Sequence, residues 1–261
     1  DDIYSVSSDG SVIVCWNTSS NSTIFKIYEL TNSTWQQKGS DISSSSFAHD
    51  GPAISPDGNK LAYNSYNSSS QRHELIIYNW DGSSWTLNSN IINLTQGHSL
   101  AFPCFNLSSD KIAIYNEDSV SIISLNDNTF GNFEHRVNIS NGANRIHGGV
   151  SFDNSFNRFV VSIGPPSNNS QSAWMKGFQL ENNNWIMVDS VLGLFDINQS
   201  QSQPVAWNSD PYGVYISGNG KNISWAQYFH NPDTIAKPFR IFSFNNDSIF
   251  QLGNSITQID D

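Results

Sequence analysis

The chain has 261 residues, with 12 Lys+Arg against 23 Asp+Glu, a formal charge of −11 and an isoelectric point near 4.7. That balance excludes a surface built for nucleic acid, which needs clustered cations facing the phosphates. Ser, Asn and Thr supply 85 residues, yet 33 Phe, Tyr and Trp give more apolar mass than a disordered chain carries, so a large core is expected.

From the N-terminus, SVSSDGSVIVCW (5–16) reads as a hairpin around Asp9-Gly10, because Gly accepts positive φ without a Cβ clash. FKIYEL and a second hairpin, Leu30-TNST-Trp35, follow. The pattern then recurs. AISPDGNKLAY (53–63) is followed by ELIIYNW and Trp80-DGSS-Trp85, and CFNLSSDKIAIY (104–115) by VSIISL and Leu125-NDNT-Phe130. The fourth copy is VSFDNSFNRFVVSI (150–163), MKGFQL and Leu180-ENNN-Trp185. The fifth reads VAWNSDPYGVYIS (205–217), FRIFSF and Phe244-NNDSI-Phe250, with one extra loop residue. MVDSVLGLFDI (187–197) suits a helical turn or a strand, and SIFQLGNSITQI (248–259) reads as one outer strand with few charges.

Each unit is strand, turn, strand, loop, strand, turn, strand, and repeated antiparallel quartets of this size predict an all-β, five-bladed β-propeller. The expectation is a single domain over 1–261, with blades near 3–48, 49–97, 98–146, 147–201 and 202–261. A β-sandwich with chance likeness between hairpins is the alternative. The repeated aromatics Trp35, Trp85, Phe130, Trp185 and Phe250 are expected to anchor each outer hairpin. The end segments DDIYSVSS and SITQIDD are candidates to close the ring or to join neighbouring subunits.

PAISPDGNKLAYNS and ELIIYNWDG (52–65 and 74–82) resemble the repeat of TolB-like propellers. SSDGSVIVCW with TNSTWQQKGSDI resembles propeller repeats of long secreted or surface proteins of protists. The resemblance covers the first two units and implies a propeller in an extracellular setting. It carries over no catalytic residue, because such repeats preserve architecture across many functions.

Sequons lie at Asn17, Asn21, Asn32, Asn67, Asn93, Asn106, Asn138, Asn168, Asn198, Asn222 and Asn246, all expected in loops or turns. Asn17, Asn21, Asn67, Asn168 and Asn222 are assigned to second-to-third-strand loops, and Asn93, Asn138 and Asn198 to inter-blade loops. Eight glycans would then decorate one face. Asp1-Asp2 lacks the basic start and apolar run of a signal peptide, and no apolar run approaches the length of a membrane-spanning helix. Cys15 and Cys104 are expected as two buried free thiols, since their blades are not neighbours.

His49, His98 and His147 recur every 49 residues, each ahead of a first strand, and would gather at one channel mouth. Units one and five lack the residue, so hydrogen bonds to loop carbonyls are expected instead, and no metal or other cofactor. Glycoside hydrolysis needs two carboxylates across a pocket. The five glutamates fall on third strands, turns or outer loops, and Asp153 alone sits at a first-strand end. The expectation is therefore a protein that is not an enzyme: a secreted, N-glycosylated structural or adhesive propeller, part of a filament, coat or appendage. Its partners would be copies of itself, other extracellular proteins or glycans. A lectin with one sugar site per repeat is the alternative, built on the repeated aromatics.

Overall fold

The computed structural model describes residues 2–19, 22–44, 51–88, 92–93, 103–116, 118–126, 133–139, 145–164, 174–192, 213–226, 238–254 and 256–257. Within them the regular structure is entirely β, in five antiparallel sheets that follow one another along the chain: a five-bladed β-propeller. Blade one holds β1 (Asp2–Val6), β2 (Val12–Ser19), β3 (Ser22–Thr31), β4 (Thr34–Gln37) and β5 (Ile42–Ser44). Blade two holds β6 (Ala53–Ile54), β7 (Lys60–Asn67), β8 (Arg72–Trp80), β9 (Trp85–Leu87) and β10 (Ile92–Asn93). Blade three has β11 (Cys104–Phe105), β12 (Lys111–Tyr115), β13 (Ser119–Ser124) and β14 (Phe133–Asn138). Blade four has β15 (Arg145–Phe152), β16 (Arg158–Gly164), β17 (Trp174–Glu181) and β18 (Asn184–Leu192). Blade five has β19 (Val214–Ile216), β20 (Asn222–Ala226), β21 (Pro238–Phe244), β22 (Ile249–Gln251) and β23 (Ile256–Thr257).

The chain divides into two compact units, Asp1–Asn116 with Val120–Arg136, and Glu117–Ser119 with Val137–Asp261. The first contains blades one and two and most of blade three, and the second contains blades four and five.

Blades one, two and five carry five elements because their outer strand is broken. β4 and β5 both pair with β3, β9 and β10 with β8, and β22 and β23 with β21. The break begins three residues after the hairpin in each. Lys38, Asn88 and Leu252 donate their backbone N–H to Ile27, Ile77 and Ile241 at 2.7–2.8 Å, and in blades one and five the chain then steps away. Gly39 and Gly253, at φ +79 and +70, make that step in blades one and five. This explains the G-S-D-I ending of unit one, and it interrupts the single outer strand expected over 248–259. In blade four β18 runs unbroken, with one register shift opposite Gly177–Phe178. The stretch 187–197 that suited either a helical turn or a strand is therefore strand as far as Leu192, and 193–197 lie outside the described residues.

The turn between first and second strands has one design in all five blades. It spans 7–12, 55–60, 106–111, 153–158 and 217–222. The first residue donates its N–H to the sixth residue's carbonyl, and the fourth donates to the first. The sixth residue's N–H returns to the first side chain: Ser7, Ser55, Asn106, Asp153 or Ser217. In blade five this places the turn at Ser217-Gly-Asn-Gly, so the first hairpin spans 214–226. VYIS is thus the first strand there, not the second as expected from 205–217. Asp210-Pro211 is the misleading turn signal, and residues 205–212 lie outside the described residues.

Neighbouring turns are tied to each other inside each unit. Ser8 N–H donates to the Pro56 carbonyl, and Asn154 N–H to the Gly218 carbonyl, both at 3.0 Å. One strand position back, the Ser5 and Ser151 hydroxyls accept the N–H groups of Ile54 and Ile216 at 3.2 and 3.1 Å. Pro56 has no N–H to pass the turn-to-turn bond onward. Cations strengthen the same seams. Lys38 is buried and donates to the Gly58 carbonyl, the Glu29 carboxylate and Asn59 Oδ1, at 3.0–3.2 Å. Arg158 Nη1 bonds the equivalent Gly220 carbonyl at 3.0 Å and the Phe244 carbonyl at 2.9 Å.

The core lies between blades. Val14, Phe25 and Ile27 pack against Ile54, Leu61 and Tyr63. Alternation then sends Ala62, Leu75 and Ile77 to the other face of blade two, against Ile112, Ile123 and Leu125 of blade three. In the second unit Val160 and Met175 of blade four meet Trp225, Phe242 and Phe244 of blade five. The sheets come close there, since a Cβ on Gly177 would lie 2.4 Å from Ile249 Cδ1. Fully burying each such side chain contributes about 1.5–3 kcal/mol.

Ser55→Ala removes a fully buried hydroxyl that accepts the Lys60 N–H and is expected to cost about 1–3 kcal/mol in urea unfolding with an unchanged slope. Ser11→Ala, which removes only an exposed hydroxyl bonded to Asp9, is expected to stay within about 0.5 kcal/mol of the parent.

Candidate functional site

The one inner carboxylate singled out in the sequence, Asp153, is a turn residue. It is buried, and Oδ1 accepts the backbone N–H groups of Asn157 and Arg158 at 2.8 and 3.1 Å. Burial raises its carboxyl above the usual range, against the pull of those N–H donors and of Arg158. The other turn carboxylates move the opposite way. Hydrogen bonds from Ser11 and Ser7 hold Asp9 down at about 2, and bonds from Ser84 and Ser83 put Asp81 below that. Asp57 is pushed up by burial but pulled further down by the Ser55 hydroxyl and the Asn59 N–H. Asp110 is lowered chiefly by its bond from Asn106.

Of the three histidines, His49 and His98 lie outside the described residues, and His147 is placed only by its backbone on β15. Among the described residues no three metal-ligating side chains cluster. Cys15 and Cys104 are both free. Cys15 is buried as expected, whereas Cys104, on the two-residue strand β11, keeps solvent contact. Crowding by protein nonetheless raises its thiol to about 11. The expectation of two buried thiols therefore holds for Cys15 and fails for Cys104.

The repeated aromatics do not share one environment. Trp85 donates Nε1–H to the Lys38 carbonyl at 2.7 Å and packs with Trp80 beside Gly39. Trp185 packs edge-on to Phe159, centroids 4.9 Å apart. Trp35 is exposed, and Phe130 lies outside the described residues. In blade five Phe244 pairs with Ile249, so the hairpin loop has four residues like those of blades one, two and four and carries no extra one. Ile249 is the buried equivalent of the tryptophans, and Phe250 points out. Counting a constant four-residue loop from Phe244 finds Ile249, and the Ser-x-Asn-Gly pattern finds the true fifth turn. Lys38 and Arg158 carried no sequence signal.

Each blade's fourth strand presents exposed apolar side chains. Trp35, Leu87, Phe133, Ile186, Met187 and Phe250, at least one on each blade's fourth strand, are 43–50% exposed. β4, β9 and β22 bear no charged residue at all. Edge strands ordinarily carry charges against unwanted pairing.

The described sequons divide sharply. Asn17, Asn32, Asn138, Asn222 and Asn246 are exposed. Asn106 is buried and uses both ends of its amide in the blade-three turn. Asn67 donates Nδ2–H to Glu74 Oε1 at 2.8 Å. Asn21, Asn168 and Asn198 lie outside the described residues, and only the backbone of Asn93 is described. Asn17, Asn67, Asn93, Asn138 and Asn222 sit in strands, not in loops. Asn222 opens β20 after the first turn, at the end opposite the second-to-third loop to which it had been assigned.

No protein-family model matches the sequence, and no curated relative does. Solved structures do match in fold. The β-propeller domain of the trilobed protease from Pyrococcus furiosus aligns over 97% of this chain and 70% of that chain, at 11% identity and TM-score 0.52. TolB from Acinetobacter baumannii aligns over 93% of this chain and 52% of its own, at 10% identity and TM-score 0.54. A proposed 6-phosphogluconolactonase from Bacteroides fragilis aligns over 98% and 80%, at 12% identity and TM-score 0.59. The TolB resemblance thus extends to the fold and no further.

These matches correct the expectation that the protein is not an enzyme. The lactonase, and an oligogalacturonate lyase in complex with manganese (10% identity, TM-score 0.60, over 94% of this chain and 62% of that chain), carry the same fold. Propeller sites are assembled from loops of separate blades, so a missing linear motif excludes no chemistry. Identities this low show architecture and leave activity open.

The carboxylates set the acid response. Asp9, Asp57, Asp81 and Asp110 are depressed, so their stabilisation is present above the ordinary Asp value and lost as pH falls. Raised Asp153 has the opposite sign, favouring the fold below the ordinary value and less as pH climbs. The thermal midpoint is expected to drop on acidification from about pH 5 to about pH 2. Asp153→Asn keeps the Oδ1 acceptor and is expected to fall more steeply over that interval, in scanning calorimetry.

Proposed function

We propose that the chain is a secreted, N-glycosylated propeller serving as a structural or adhesive module, a subunit of an extracellular filament, coat or appendage. The observation that carries this reading is the set of fourth strands, apolar at one or more exposed positions in every blade and uncharged in three of them. Unpaired backbone groups on such edges, next to exposed Trp35, Phe133 or Met187, favour pairing and stacking with protein surfaces. The abundance of sequons and the likeness of unit one to surface-protein repeats support the extracellular setting.

Self-association is the readout. At a formal charge of −11, copies repel at long range, and salt screens that repulsion within about 10 Å at 0.1 M. Sedimentation velocity is therefore expected to show association that grows with ionic strength. In Ile186→Lys/Met187→Lys it is expected to weaken at least about tenfold, equivalent to about 1.4 kcal/mol. A chain that stays monomeric at every salt and concentration sinks the reading.

A further inference from the structure

We propose that, among the described sequons, Asn32, Asn138, Asn222 and Asn246 take N-linked oligosaccharide while Asn106 does not. The glycans at Asn32, Asn138 and Asn246 then shield the apolar outer strands beside them. The proposal rests on the secretory reading above and adds which sites are competent and what they regulate. In the transfer, Asn Nδ2 bonds to C1 of a lipid-linked oligosaccharyl diphosphate. The C1–O bond breaks, the lipid diphosphate leaves, and Nδ2 gives up one proton. The product amide keeps its carbonyl and one N–H, so a competent site needs Nδ2 unengaged and open space around it.

Asn32 meets both conditions. It is exposed in a two-residue turn between paired Thr31 and Thr34, where φ is +49 at Asn32 and +63 at Ser33. Asn246 holds the same place in blade five, two residues past Phe244 as Asn32 is two past Leu30. Its Oδ1 accepts Arg158 Nη2–H at 2.7 Å, which fixes the side chain through the oxygen that glycosylation preserves. Asn138 is exposed at the end of β14, and Asn222 at the start of β20.

Asn106 differs in each respect. Nδ2 donates to Asp110 Oδ1 at 2.6 Å and to Ser108 Oγ at 2.9 Å, while Oδ1 accepts the N–H of Asp110 and of Lys111. A sugar on Nδ2 would expel the side chain from the turn that sets blade three. Chains modified there before folding would not reach this fold.

The placement gives the glycans a task. Asn32 lies three residues before exposed Trp35, Asn246 four before exposed Phe250, and Asn138 closes the strand that begins with exposed Phe133. Asn222 lies on a second strand, away from the sheet edge, and serves as the internal control.

The full chain is secreted from eukaryotic cells behind a supplied cleavable signal. Glycans are released by amidase in ¹⁸O water, and peptides are mapped by mass spectrometry. Heavy aspartate is expected at 32, 138, 222 and 246, with unmodified asparagine at 106. Modified Asn106 in folded secreted protein, or bare Asn32 or Asn246, overturns the assignment. Asn32→Gln/Asn138→Gln/Asn246→Gln is then compared with Asn222→Gln by binding of an apolar fluorophore. The triple variant is expected to bind at least twice as much as the parent and the single variant no more. Equal binding by parent and triple variant overturns the shielding role. Asn106→Ser, the residue of three sister turns, is expected to leave the map unchanged, and a changed map counts against the proposal. Because the signal is supplied, failure of the functional reading would show in the association experiment and leave this map intact.

Discussion

The apolar layer between successive sheets is the constraint from which the rest of the architecture follows. Blade two shows it most plainly: Leu61 and Tyr63 face one neighbour while Ala62, Leu75 and Ile77 face the other. A sheet greasy on both sides cannot stand in water alone, so blade two needs a companion on either flank. Hydrogen bonds then fix how the companions register. Ser8 with Pro56 and Asn154 with Gly218 align turn against turn, and the buried Lys38 amine and the Arg158 guanidinium satisfy carbonyls that would otherwise be lost at the seams.

Much of this was legible in the residues, because the repeat is written twice, in the Ser-x-Asp-Gly turns and in the four-residue outer hairpins. The errors arose where one copy departs in spelling but not in geometry. Blade five uses Ser217-Gly-Asn-Gly for Ser-x-Asp-Gly and Ile249 for a tryptophan, so an adjacent Asp-Pro and an adjacent Phe drew the alignment off by one strand and by one residue. In blades three and four, Ser109 and Phe156 occupy the left-handed position that Gly holds elsewhere, at φ +59 and +55. Phe156 is nearly fully buried, so packing offsets the backbone cost there.

Candidate functional residues were less legible, for a physical reason. Asp153 stood out as the one carboxylate at an inner strand end, yet the same chemistry makes it a good acceptor for two backbone N–H groups. Asn106 scanned as a sequon because three letters matched, while its amide was already committed to a turn. Residue type states what a side chain can bond, and only the fold states whether the bond is already taken. The inverse holds for enzymatic capacity. The lactonase and lyase matches show that this architecture accommodates chemistry whose residues need not stand near one another in the chain.

The way the chain ends are used has a consequence for how such a molecule changes over evolutionary time. β1 pairs with β2 and β23 with β21, so among the described residues every ladder is drawn from one contiguous stretch, and none is shared between the two termini. Each blade is a self-contained cassette, and a crossover in the connecting segment would duplicate or delete a whole cassette without severing a hydrogen-bonded pair of strands. Drift in blade number, with little drift inside a blade, is the mode of change that this wiring permits.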